Sequence, residues 1–148
     1  MQIRKQMRED ERGFTLLEII GVLTLLAAII TLVAPNVIKQ TQKGQIKAAY
    51  AQINALKSVI NAYYLDNGDY PTTEQGLKAL IEKPTVPPIP DNWNGPYLED
   101  NKIPKDPWGR ELIYEKPGKH NPNSYDLYTL GSDKKEGGEG VNADIGNW

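Results

Sequence analysis

Residues 14–33 read FTLLEIIGVLTLLAAIITLV, with one charge, Glu18, in an otherwise apolar run. Twenty helical residues rise about 30 Å, the hydrocarbon thickness of a bilayer. A secretory signal would have a shorter apolar core and a small-residue cleavage site beyond it, and the next residues, APNVIKQ, offer no such site. A soluble core helix would carry a polar face, which this stretch lacks. The reading that fits length and composition together is a membrane span. An acid inside a span is costly and marks function by default, although near the span's start it can also snorkel to the interface.

Outward from the span, charge sets orientation. The leader, residues 1–13, holds Arg4, Lys5, Arg8 and Arg12 against Glu9, Asp10 and Glu11. Counting Lys and Arg places the N-terminus in the cytoplasm. Lys39, Lys43 and Lys47 beyond the span weaken that bias and form a solvated or lipid-headgroup-facing stripe. The chain of 148 residues has a formal charge of −2, which gives no basis for nucleic-acid binding. With no cysteine there is no disulfide, thiolate metal site or thiol nucleophile. The single histidine, His120, lies in KPGKHNPNS and reads as a loop residue without a catalytic partner.

Beyond Pro35, where a kink or local unwinding is expected, Ile46, Ala49, Tyr50, Ile53, Leu56, Ile60, Tyr63 and Tyr64 recur in steps of three and four. That pattern predicts the amphipathic half of a long helix over 35–65. Asn67-Gly68 stops it. Thr72 and Gln75 have capping-box spacing and predict a short helix carrying Leu77, Leu80 and Ile81. The proline-rich stretch TVPPIPDNWNGPYLEDNKIPKDPWG reads as an ordered loop pinned by Trp93, Tyr97 and Trp108. RELIYEKPG and SYDLYTLGS predict two strands of an antiparallel sheet. The expected class is α+β, with the sheet laid on the helix. In the tail, GSDKKEGGEGVNADIGNW, oxygen-bearing side chains and glycines suit either a disordered acidic tail or a calcium loop, though not an EF-hand.

The segment RGFTLLEIIGVLTLLAAI, with its charged leader, Gly-Phe junction and acid five residues into the segment that begins at Phe14, resembles the processing signal of type IV pilins and pseudopilins. The resemblance implies cleavage between Gly13 and Phe14 by a prepilin peptidase, N-methylation of Phe14, and pairing of Glu18 with the Phe14 amine of a neighbouring subunit. PKDPWGRELIYEKPG, YDLYTLGSDKKEGGEGVNADIGNW and DNGDYPTTEQGLKAL extend the resemblance to the major pseudopilins of the type II secretion system, over Arg12 to Trp148. It implies a pilin-like fold whose head, residues 66–148, holds one calcium ion in its C-terminal loop. The implied ligands are the carbonyl of Leu130 and the side chains of Asp133 and Asp144, with Ser132, Asn142 and the carbonyl of Val141 as further candidates. Two departures from the family are a more acidic leader and Val141-Asn142 where an acid often stands.

On this resemblance the expected function is structural. A subunit anchored in the bacterial inner membrane, its head in the periplasm, polymerises with its own kind and with minor pseudopilins into a periplasmic filament. An assembly platform with its ATPase, an outer-membrane secretin and membrane lipid are the implied partners. Other readings are a type IV pilin of a surface pilus, which the missing disulfide and the calcium-like loop disfavour, and a membrane-tethered calcium-dependent binding module or small hydrolase. For the last, Ser58, Ser124 and Ser132 show no triad with His120, and no phosphate-binding loop occurs.

Overall fold

The structure is a computed structural model that describes residues 13–148; the leader up to Arg12 lies outside the described residues. Helix α1 runs Leu16–Asn67. From 13 to 33 every residue is exposed, with Phe14, Leu17, Leu23 and Ile30 all showing large apolar surface. Among the described residues, this is the one helix long and apolar enough to cross a membrane. Thr24 and Thr31 satisfy their hydroxyls by donating to the carbonyls of Ile20 and Ala27, each at 2.8 Å. Such back-bonding suits a helix surrounded by hydrocarbon. The unwinding expected at Pro35 does not occur, because α1 continues through it. Proline removes one donor, and the long helical runs on either side outweigh that loss.

Two compact units divide the chain, one ending at Lys39 and the other comprising Gln40–Trp148. In the second, Ala49, Ile53, Leu56, Ile60 and Tyr63 form the buried stripe of α1. Full burial of an Ile or Leu side chain stabilises by roughly 1.5–3 kcal/mol. Tyr50 and Tyr64, which periodicity assigns to the same face, are instead exposed at its margins, and Tyr64 stacks on Tyr70. The helix ends where Gly68 takes φ 77° and donates its N–H to the Tyr64 carbonyl. Glycine reaches that left-handed conformation without a steric penalty.

The sheet has three antiparallel strands in the order β1 (Ile113–Glu115), β2 (Asp126–Thr129) and β3 (Ile145–Gly146). Tyr114 stands opposite Leu127, and Thr129 opposite Ile145. Tyr114, Leu127 and Ile145 share one core with the α1 stripe and with Leu77 and Leu80. The first two strands are those expected; β3, in the tail, is not. Thr72 and Gln75 do form a capping box, with N–H to side-chain oxygen distances of 3.0 and 3.2 Å. The box leads into a turn and a 3₁₀ helix, Leu77–Leu80, rather than an α-helix. Gly76, at φ 59° and ψ −164°, lies outside helical geometry and stops propagation. The proline-rich loop is pinned as expected: Trp93 donates to the Ala79 carbonyl at 2.8 Å, and the Tyr97 hydroxyl donates to Asp66 at 2.9 Å.

Candidate functional site

Two regions carry the candidate residues. At the first, Thr15 caps α1. Its hydroxyl accepts the N–H of Glu18 at 3.2 Å, while Glu18 Oε2 accepts the Thr15 N–H at 2.8 Å and the Thr15 hydroxyl at 3.1 Å. This reciprocal pattern is a capping box. The spacing T-x-x-E is the sequence signal for this local partner, which the reading of Glu18 as a membrane acid does not include. No described residue donates to the second oxygen, Oε1. Gly13 and Phe14 are both exposed, Phe14 by 84%. Phe14, Glu18, Ile19, Val22 and Leu23 line a shallow groove along the helix start. Within one chain, then, Glu18 is bonded locally and still has an oxygen available to a cation from outside.

The second region is the loop from Leu130 to Asp144, between β2 and β3. Gly131 is buried at φ 67°, and a Cβ there would stand 2.7 Å from the carbonyl carbon of Asn142 and 2.8 Å from the Ala143 oxygen. Gly138 approaches the Asn142 oxygen just as closely. Glycine at both points lets the loop fold back on Asn142. Ser132 N–H donates to the Val141 carbonyl at 2.8 Å, closing the loop's neck. Behind it, Asp106 is buried and accepts from Thr129 Oγ1 at 2.6 Å and from the backbone N–H groups of Trp108 and Arg110. Arg110 pairs with Asp106 and also donates to the Gly131 carbonyl, joining the loop's first hinge to the core.

Among the candidate ligands, Asp133 is exposed and accepts from Lys135 N–H at 3.2 Å. Asp144 is half-buried, and its Oδ2 accepts from Gly137 N–H at 2.9 Å. Its Oδ1 is buried with no hydrogen-bond partner. Leu130, Val141 and Asn142 are half-buried and Ser132 is exposed. Ser132 and Val141 are brought together directly, and Asn142 lies against Gly131. Among the described residues, no group of three or more His, Cys, Asp or Glu side chains converges for a metal. A site here therefore depends on backbone and amide oxygens beside two acids. The stranded Asp144 oxygen fits that donor set, since a buried carboxylate oxygen without a donor is costly unless a cation answers it.

A third arrangement escaped the sequence reading. Asp126, at 1% exposure, accepts the backbone N–H groups of His120 and Asn121, the Asn121 side-chain amide, and sits 3.2 Å from His120 Nδ1. Burial pushes its carboxyl up, but these hydrogen bonds prevail and hold it below the usual aspartate range. The His120 ring stacks on Trp148, with centroids 3.7 Å apart. His120 is thus a partnered residue closing the C-terminus. Asp126 stands only six residues on, but the turn that brings it back under His120 and the remote Trp148 ring are set by the fold, so the sequence pattern did not mark the pair.

The family model for type II secretion system protein G matches residues 36–148. The type II secretion system core protein G of Pseudomonas aeruginosa is 45% identical over 142 residues, covering 95% of this chain and 97% of that one. The core protein G of Vibrio cholerae is 44% identical, covering 97% and 95%. A crystal structure of the major pseudopilin from the type 2 secretion system of enterohaemorrhagic Escherichia coli aligns with a TM-score of 0.64 at 39% identity, covering 77% of this chain and 95% of that chain.

Proposed function

This chain belongs to the type II secretion system protein G family and is a structural pseudopilus subunit, and we propose that it polymerises through α1 into a periplasmic filament that helps move folded proteins across the outer membrane. Its apolar N-terminal helix and its family fit an inner-membrane anchored protein. In the proposed cycle the N-terminus starts in the cytoplasm with the head in the periplasm. A prepilin peptidase cuts between Gly13 and Phe14, and Phe14 is N-methylated. Platform, ATPase, minor pseudopilins and secretin act as partners in extraction and assembly.

The observation that carries this reading is the exposed apolar surface from 13 to 33 with one acid near its start. In a filament, that surface is buried against neighbouring helices. Cleavage turns the Phe14 nitrogen into a cation, and Glu18 Oε1 remains available to receive it from the next subunit. Any subunit entering out of register leaves both charges unpaired in an apolar core, which is strongly disfavoured. The pair therefore selects register.

In the head, the Leu130–Asp144 loop is proposed to hold calcium through the Leu130 carbonyl, Asp133 and Asp144, with Ser132, Asn142 and the Val141 carbonyl completing the set. When bound, the ion supplies positive charge that ties the loop's two limbs together. The chain's own residues preform the neck: Ser132 bonds Val141, Gly131 permits the fold-back, and Arg110 fixes the Gly131 carbonyl.

Glu18→Gln separates register from helix capping. Glutamine also serves in a capping box, so helix start and membrane insertion should persist while the charge is lost. Expressed with the assembly machinery, the variant should be processed and inserted but yield few sheared filaments. Wild-type filament yield from Glu18→Gln would refute the register pair.

A further inference from the structure

From Ile19 to Leu65 the sequence contains no Asp or Glu, yet it contains Lys39, Lys43, Lys47 and Lys57. A merely solvated helix face would mix signs. Lys39, Lys43 and Lys47 are exposed, recur at four-residue steps, and form no ion pair among the described residues. They begin directly after Val37 and Ile38, which are 56% and 57% exposed and continue the apolar surface of α1. A basic cluster on the translocated side of a span also opposes the bias that orients the protein. Such a cluster calls for a compensating role.

We propose that Lys39, Lys43 and Lys47 form a binding stripe for anionic phospholipid headgroups in the leaflet facing the head. The proposal rests on the membrane-spanning reading above. At 1.5 Å per helical residue, Lys43 follows Lys39 by about 6 Å and Lys47 by about 12 Å. The interfacial layer on one side of a bilayer is roughly 5–7 Å thick. Lys39 and Lys43 thus fall within or beside the phosphates, and Lys47 lies about one Debye length out at physiological salt. Steps of four keep the ammonium groups on one side of the helix, so the few anionic lipids that meet Lys39 and Lys43 also feel the screened charge of Lys47. Long lysine stems let the charges reach the phosphates while their methylenes rest on apolar surface. Each lysine near an anionic surface raises binding about fivefold. The stripe would hold a subunit at a fixed depth before assembly and would be surrendered on extraction.

Two variants of the full chain test this in vesicles of phosphatidylethanolamine and phosphatidylglycerol at 7:3. One is Lys39→Gln/Lys43→Gln/Lys47→Gln, and the other is Lys57→Gln, in which a half-buried lysine of the same acid-free stretch is neutralised. Flotation first establishes insertion; a wild-type chain that does not float refutes the membrane reading itself. Trace spin-labelled lipids then report selectivity for phosphatidylglycerol over phosphatidylethanolamine at the protein surface. The leader's basic residues are common to all three proteins, so the difference between proteins isolates the stripe. The expected result is a loss of selectivity of about fivefold or more in the triple variant at low salt, little change in Lys57→Gln, and a smaller difference in 0.5 M salt. Inserted protein with equal selectivity in wild type and triple variant would overturn the proposal. So would loss of self-association in the triple variant without a change in lipid selectivity, which would assign the stripe to a second copy of the chain.

Discussion

Asp144→Asn isolates the metal contribution of the C-terminal loop from its hydrogen bonding. Asp144 Oδ2 accepts the Gly137 N–H at 2.9 Å, while Oδ1 is buried without a partner. Asparagine keeps an acceptor for Gly137 and removes the negative charge. In chelator the two proteins should therefore differ by no more than about 1 kcal/mol, the scale of one weakened hydrogen bond. Calcium at a hundredfold its Kd stabilises the wild type by about 2.7 kcal/mol. For a domain of about 100 residues, 1 kcal/mol moves Tm by roughly 4–8 °C, so the gain is roughly 10–20 °C. If the lost charge weakens affinity tenfold, the same calcium concentration stabilises the variant by only about 1.4 kcal/mol. The gain in Tm is then halved. Differential scanning calorimetry in calcium and in chelator reads both terms for both proteins. An equal calcium gain in Asp144→Asn, or no gain in the wild type, would refute the ion site.

Glycine substitutions separate close approach from backbone conformation. Gly131→Ala should cost about 2–4 kcal/mol in thermal or denaturant unfolding, because it adds a clash with Asn142 and Ala143 to a left-handed φ. Gly109→Ala, at φ 81° with open space around it, should cost only about 1 kcal/mol; equal costs would contradict the loop packing. Asp126 sets an acid limit. Its folded pKa is depressed, so its contribution is fully present above the unfolded value of about 3.9 and lost as pH falls through the lower folded value. Between pH 5 and pH 2, Asp126→Asn should show a shallower fall in Tm than the wild type, and parallel curves would contradict the assignment.

Where local pattern carried the physics, the fold was legible in the sequence. The buried stripe Ala49, Ile53, Leu56, Ile60 and Tyr63 follows from helical period, and the stop at Gly68 from glycine's access to positive φ. β1 and β2 follow from alternation around a turn. What eluded sequence reading depends on contacts and backbone geometry that only the fold fixes. β3 is two residues long and becomes a strand only by pairing with β2, aided by Asn147, whose side chain accepts from Leu127 N–H and donates to the Tyr125 carbonyl. Tyr64 has the spacing of a core residue, yet a ring at the stripe's edge is better served by stacking on Tyr70. The Thr72–Gln75 box was readable, but its helix fails one residue later because Gly76 leaves helical space. The candidate site residues were named through resemblance rather than from local pattern. The Thr15–Glu18 box was present as T-x-x-E spacing, whereas the stranded Asp144 oxygen and the Arg110 link to Gly131 arise only in the folded chain.

Processing at Gly13–Phe14 is tested by the intact mass of the protein purified from hosts with and without prepilin peptidase. With the peptidase, the expected mass lacks Met1 through Gly13 and gains one methyl group on Phe14, leaving a cationic N-terminus for Glu18 of a neighbour. Without it, the full chain should appear. A full-length mass in a host whose peptidase cuts a control pilin would contradict the proposed processing, and with it the register pair on which assembly is argued.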